Sequence, residues 1–463
     1  MKFVNLVLIC IAPLSSIEAK TITLSQTAQQ DLAISLYQHD LALIKDVRAL
    51  GKLTSRDLVK VEGVSQQMQV QSLQIQGAGN ISSQSLNRQT ISYTGLIRSH
   101  IGREITVAKS TASGTEIKAQ VKLLGVDQNS VLIENQGAIE TIPLHSDQWR
   151  LIFPKSEQPL SLAPSLTFIS QGKNSTDDIQ LNYLTNGLHW EMDYVLQLNQ
   201  KRDTLQLKGL ASLFNNTSTL FKNARINLIA GDVSVPTNKM TAKLTRSMMQ
   251  ESRQALPSTA NIGDLKQYPL GGRITLSPQQ QTQIPLIQAA DIPVTASYRH
   301  RAYISSRINS SVPKNNADSY LSFKNTVSNG LGIPLPRGQA RVFNSDLNNE
   351  YQFTGASNLP NSSANQLIEL STGKAFDLSI TQRQTSHSEA FDGSIIGTQF
   401  IINNSAKHAK RLRLNVQFNQ QWEIISSTYP VKNVHAANAI WLLEIGANNS
   451  LVFSLKTRLR HQK

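Results

Sequence analysis

The sequence predicts an all-β protein: a small SH3-like barrel joined to β-sandwich domains, the last of them an immunoglobulin-like sandwich at the C-terminus. Three observations predict it. Apolar and polar residues alternate at a period of two along most of the chain, which is the pattern of half-buried strands. Turn residues such as Asp127-Gln128-Asn129 and Asn135-Gln136-Gly137 punctuate those runs, at the roughly 8–12-residue spacing of sandwiches and small barrels. No long helical period follows the first 19 residues.

Those first 19 residues read as a secretory signal peptide. Lys2 supplies the positive start, Val4 to Leu14 the apolar run, and Ser15-Ser16-Ile17-Glu18-Ala19 a small, polar end with cleavage after Ala19. An apolar run of this length is too short for a hydrocarbon core that needs about 20 residues. No later run approaches that length, so no transmembrane segment is expected after cleavage. The expected location is the periplasm or outer cell envelope. Cys10 is the only cysteine and lies inside the apolar run, so the mature chain carries neither disulfides nor a cysteine nucleophile.

Residues 20–90 read as an N-terminal β domain, with strands at Ile34 to Tyr37, Leu41 to Val47 and Gln69 to Gln76. Residues 91–155 read as the small barrel. Its strands are Glu104 to Ala108, Thr115 to Leu124, Val131 to Glu134 and Ala138 to Ile142, with Trp149 to Phe153 closing it. Residues 156–375 form a central sandwich, with strands at Ile179 to Tyr183, Trp190 to Leu198, Leu205 to Leu213 and Ala224 to Ala230. It is interrupted by a basic insertion at 236–264. There Met240, Leu244 and Met248 recur every four residues, and Lys239, Lys243, Arg246 and Arg253 supply charge. Strands resume at Tyr268, and two prolines in Gly330 to Pro336 bar a central strand there. Residues 376–463 give six short alternating strands with Asn403-Asn404 and Asn448-Asn449 turns, an immunoglobulin-like sandwich without its cysteines.

Three segments carry a family resemblance. The first is Leu36 to Asp46 with Val61-Glu-Gly-Val-Ser65. The second is Leu181 to Tyr194, which contains Gly187-Leu-His-Trp190 and Tyr194 and is followed by Ala230-Gly-Asp-Val233. The third is Gly330-Leu-Gly-Ile-Pro-Leu-Pro-Arg-Gly338, leading to Arg341-Val-Phe343 and Gly373 to Asp377. In this order the chain resembles the bacterial exported proteins carrying domain of unknown function 4139, a group akin to mucoidy-inhibitor-like proteins. The resemblance implies an exported, largely β-stranded envelope protein and supplies no catalytic residue. The motif residues themselves read structurally: Gly187 and Gly231 suit positive-φ turns, Asp232 caps a turn, and Trp190 and Tyr194 share one strand face and fill a core.

The chemistry of catalysis is sparse. No two of the nine histidines lie within five residues of one another, and no G-x-S-x-G, P-loop or G-x-G-x-x-G occurs. Glu191 and Asp193 share a strand face, which is a weak signal for an acid/base pair. No cofactor, metal or catalytic residue is expected. The rival readings are a glycan- or peptidoglycan-binding protein, with Trp149, Trp190, Trp422 and Trp441 as groove candidates, and a hydrolase without sequence-local motifs.

Charge is the strongest functional clue. The chain has 45 Lys and Arg against 31 Asp and Glu, a net charge of +14. Such a balance bears on partners rather than fold. An anionic polymer or surface, or another envelope protein, is the expected partner, without sequence-specific nucleic-acid recognition. Local charge density favours two places, the insertion and the C-terminal module, where Arg411, Arg413, Lys456, Arg458 and Arg460 are predicted to point outward. On adjacent strands these would form a self-repelling ladder that an anion, or nearby carboxylates, would relieve.

Overall fold

The computed structural model describes residues 20–53, 56–88, 93–111, 114–154, 163–171, 176–233, 260–308, 310–346, 348 and 350–460. The signal-like segment, and Met240, Leu244 and Met248 of the basic insertion, lie outside them. Among the described residues the chain is built from strands in five sheets, with one seven-residue α-helix, Tyr93–Ser99, that the alternation did not reveal. Among the described residues no helix is long and apolar enough to cross a membrane. Far-UV circular dichroism should be β-dominated, and dithiothreitol should leave the melting curve unchanged because Cys10 has no partner. A helical spectrum would contradict this fold.

Two compact units emerge. One comprises the residues up to 189 with 214–227 and 271–280; the other comprises 190–213, 228–270 and 281–463. In the first, Gln29–Tyr37 and Ala42–Ala49 form a hairpin, and Ala42–Ala49 pairs with Asp178–Thr185 from far along the chain. Leu58–Glu62 likewise pairs with Ser165–Ser170. The N-terminal strands therefore share sheets with residues beyond 155, across the boundaries read from sequence. The run around Val70 forms a 3-10 turn, Val70–Ser72, leaving only Gln74–Gln76 extended.

The module at 91–155 has its strands in the order Ala138–Pro143, Ser130–Asn135, Glu116–Val126, Glu104–Ser110, Trp149–Ile152. Trp149–Ile152 does return to pair with Glu104–Ser110. The expected barrel is not closed, however: the two outer strands do not pair, and Ala138–Pro143 is exposed at all but one position. Ile97, from the helix, completes the core of Ile105, Val107, Val121, Leu123, Val131 and Ile133. A helix that closes the core from outside removes the need for an outer-strand pair.

In the second unit, the five-stranded sheet runs Gln280–Pro293, Thr204–Asn215, Leu188–Leu198, Gly338–Ser345, Tyr351–Leu359. Trp190 and Tyr194 are fully buried, as their shared face predicts. The Trp190 Nε1 donates to the Ile229 carbonyl at 3.0 Å, and the Tyr194 hydroxyl to the Pro336 carbonyl at 2.7 Å. Asp232 accepts from Arg337 at 3.1 Å. The residues singled out by the three sequence segments thus tie separate stretches of backbone together. Gly187 and Gly231 have φ of +82° and +117°. At Gly187 a Cβ would also lie 2.6 Å from Thr217 Cγ2, so its glycine answers both torsion and space.

The C-terminal sheet has nine strands: Trp422–Ser427, Asn449–Arg460, Gly393–Asn404, Leu367–Ala390, Lys314–Lys324, Thr295–Ile304, Lys410–Phe418, Asn438–Ile445, Asn433–His435. Strands from both ends of that order share one core, including Trp441, Phe400, Phe453, Leu414 and Tyr298, so the sheet folds over itself as a sandwich. The boundary read at residue 376 falls inside Leu367–Ala390, and Thr295–Ile304 and Lys314–Lys324 belong to this sandwich.

Candidate functional site

The five basic residues singled out by sequence occupy two places. Four strands separate Lys410–Phe418 from Asn449–Arg460 in the sheet order, so no single ladder forms. Arg458 and Arg460 reach Glu423 on the neighbouring strand at 2.7 and 3.4 Å, and Arg460 lies 4.0 Å from Asp392. Lys456 stands between Gly397 and Ser426. Local carboxylates thus answer most of the charge on that strand.

Arg411 and Arg413 have different neighbours. Lys410–Phe418 pairs in parallel with Thr295–Ile304, in a register that sets Arg413 beside Arg299 and Asn415 beside Arg301. Both strands alternate an inward row (Tyr298, Ala302, Ile304; Leu412, Leu414, Val416) with an outward one. The outward row is Arg299, Arg301 and Tyr303 on one strand, and Arg411 and Arg413 on the other. Arg299 pairs with Glu369 and lies 4.2 Å over the Tyr320 ring. Arg411 is 84% exposed, with Glu444 3.8 Å away. Arg301 and Arg413 make no ion pair with a carboxylate of the described residues. Lys410 begins the same strand but points inward, is 3% exposed, and is bound to Asp377.

Arg299 and Arg301 were legible in Tyr298-Arg-His-Arg-Ala-Tyr-Ile304, a period-two run.

Beside this row the sheet opens. The ladder between Thr295–Ile304 and Lys314–Lys324 runs from Thr295–Ser322 to Arg299–Asp318 and stops. Beyond it, side chains of Leu367–Ala390 take the place of a strand. Gln382 Nε2 donates to the Tyr303 carbonyl at 2.9 Å, Gln384 Nε2 to the Arg307 carbonyl at 3.4 Å, and His387 Nε2 lies 2.9 Å from the Ser306 carbonyl. The cleft encloses about 270 Å³. Its described lining includes His300, Arg301, Arg307, Asn315 and Thr398, and no carboxylate. Burial depresses the His300 pKa; nearby Asp318 raises it and Lys374 lowers it, leaving a net fall. Its imidazole is therefore neutral at pH 7.

Other constellations have structural occupations. Glu191 is exposed, while Asp193 accepts from Ser212 Oγ at 2.7 Å and Arg341 Nη1 at 2.8 Å. Asp193 is thus occupied by Ser212 and Arg341. Trp190 and Trp441 are core residues. Trp422 stacks on Phe418 at 4.1 Å, and Trp149 lies half-buried, 5.1 Å from the Lys109 ammonium. Trp422 lines a groove with Glu423, Ile424, Val434 and His435. Among the described residues no group of three or more His, Cys, Asp or Glu is placed to hold a metal ion.

Comparison of the chain with protein-family models and with curated proteins finds no match.

Proposed function

We propose that the protein is an exported, non-enzymatic interaction module of the cell envelope whose C-terminal sandwich binds an anionic polymer. The signal-like N-terminus, the resemblance to exported proteins with domain of unknown function 4139 and the net charge of +14 all support this reading. The observation that carries it is the register of two parallel strands, which sets Arg413 beside Arg299 with Arg301 and Arg411 on the same outer face. Neighbouring strands lie about 4.8 Å apart, and like charges across them repel. Among the described residues only two of the four arginines have a carboxylate within 4 Å. A chain of anions laid across the strands removes the repulsion, and guanidinium forks bind carboxylate, sulfate or phosphate groups in pairs.

The test compares two double variants of equal charge on immobilised heparin or polyuronate. Each arginine near an anionic surface contributes about 1 kcal/mol. Arg411→Gln with Arg413→Gln should therefore weaken binding by about 30-fold and lower the eluting salt. Arg458→Gln with Arg460→Gln should change it far less, because Glu423 already holds both side chains. Equal shifts for the two pairs would mean that net charge alone governs retention.

A further inference from the structure

Resting on that reading, we infer that the cleft between Thr295–Ile304 and Leu367–Ala390 is a binding site for one acidic sugar residue, a ring bearing a carboxylate and several hydroxyls. Size restricts the occupant first. About 270 Å³ is just below the roughly 300–1,000 Å³ of pockets for drug-sized ligands, which suits a single polar ring. The lining then restricts its chemistry. Arg301 and Arg307 are among the residues that line the cleft, with no carboxylate among the described lining residues, and a planar guanidinium fork is matched to a carboxylate. Around them stand hydroxyls and amides: Ser305, Asn315 and Thr398 among others. A bare inorganic anion does not need these groups, whereas a sugar's hydroxyls use them as donors and acceptors. The neutral His300 imidazole adds one more of each. Tyr303, also in the lining, is 63% exposed.

The site is also built to stay open. The ladder stops at Arg299–Asp318, and Gln382, Gln384 and His387 pin the carbonyls of residues 303, 307 and 306. A gap in a sheet normally closes by strand pairing; here side chains satisfy the edge and hold the space. Arg301 belongs to both the cleft and the outer arginine row. A polymer lying along that row therefore has its terminal or flanking residue delivered to the cleft mouth.

The probes are glucuronate, glucose, acetate and inorganic phosphate, titrated into the full chain by calorimetry. Glucuronate should bind in the millimolar range, at least tenfold more tightly than each of the other three. Arg307→Gln should lower its affinity at least tenfold. The isosteric Thr398→Val should lower it several-fold, and it keeps the test open if Arg307→Gln disturbs its loop. Arg458→Gln, outside the cleft, should leave it unchanged. Acetate or phosphate binding as tightly as glucuronate would reduce the cleft to a generic anion site and overturn the inference, as would glucose binding equally well. Unchanged affinity in both cleft variants would also overturn it. Failure of the two readings is distinguishable. Polymer retention that depends on Arg411 and Arg413, without glucuronate binding, overturns the cleft and leaves the row. Glucuronate binding lost in Arg307→Gln, without polymer retention, sustains the cleft and removes the row.

Discussion

Replacing Arg48 with alanine is expected to unfold the first unit more readily than any other single substitution at a polar residue there. Arg48 is fully buried, and Asp46, two residues earlier on the same strand face, is 2% exposed. The guanidinium donates through Nε and Nη2 to Asp46 Oδ2 at 3.0 and 2.7 Å. Its Nη1 donates to the carbonyls of Glu62 at 2.7 Å and Leu24 at 3.0 Å. Gln29 Nε2 donates to the other carboxylate oxygen at 2.8 Å. One arginine thus ties the ends of two other strands to its own and neutralises Asp46 beside it. Truncation leaves a buried carboxylate and bare carbonyls, and breaking such a pair costs about 3–5 kcal/mol. Removing both charges, as Asp46→Leu with Arg48→Met, should recover part of the loss, because the bare carbonyls remain. Hydrogen exchange of the amides in Ala42–Ala49 measures this locally, which matters in a chain of two units where one global midpoint is ill defined. Equal protection in Arg48→Ala and the unmodified chain would show that the pair carries no stability.

That pair also marks where the sequence stops being legible. The strand Ala42–Ala49 follows from alternation, but the same alternation places Asp46 and Arg48 on the inner row with Ala42 and Ile44. Only the carbonyls of Leu24, Ser25 and Glu62, brought in from other strands, make an arginine acceptable there. Period-two patterns report which residues share a face; they do not report which strands meet. The strands were therefore legible almost throughout, while the sheets were not. Gln29–Tyr37 and Ala42–Ala49 looked like a local domain, yet their sheet partner is Asp178–Thr185. The candidate site shows the same division. Arg411 and Arg413 were readable as outward residues, but their neighbours Arg299 and Arg301 arrive through a parallel pairing of strands more than 100 residues apart in sequence. The cleft arises from an absence of pairing beyond Asp318, and no local composition encodes that.

The second large effect is expected at Asp377, beneath the arginine row. Lys410 starts the strand that carries Arg411 and Arg413, but its side chain turns inward, 3% exposed, to Asp377 and to the Tyr298 ring at 4.5 Å. Burial opposes ionisation of Asp377, yet the hydrogen bond and charge of Lys410 outweigh it and hold its carboxyl below the usual range. Asp377→Asn removes the counter-charge from a buried ammonium. Because Asp377 is itself a third exposed, the cost should be about 2–3 kcal/mol, less than for a fully buried pair. Adding Lys410→Met removes the stranded charge and should restore most of the stability, a coupling that a double-variant cycle reads directly. Acid should act in the same direction. A carboxyl whose folded pKa lies below its unfolded value near about 3.9 stabilises the fold above that value. The contribution is lost as pH falls through the lower, folded pKa. The C-terminal sandwich of the unmodified chain should therefore lose protection in Lys410–Phe418 below about pH 4, with the Asp377→Asn variant showing a shallower loss. Because this strand positions Arg411 and Arg413, anionic-polymer binding should weaken in Asp377→Asn and return in the double variant, although the double variant is one unit less positive than the single one. If binding instead tracked net charge, the single variant would bind more tightly than the unmodified protein, and the arginine row would not depend on the fold beneath it.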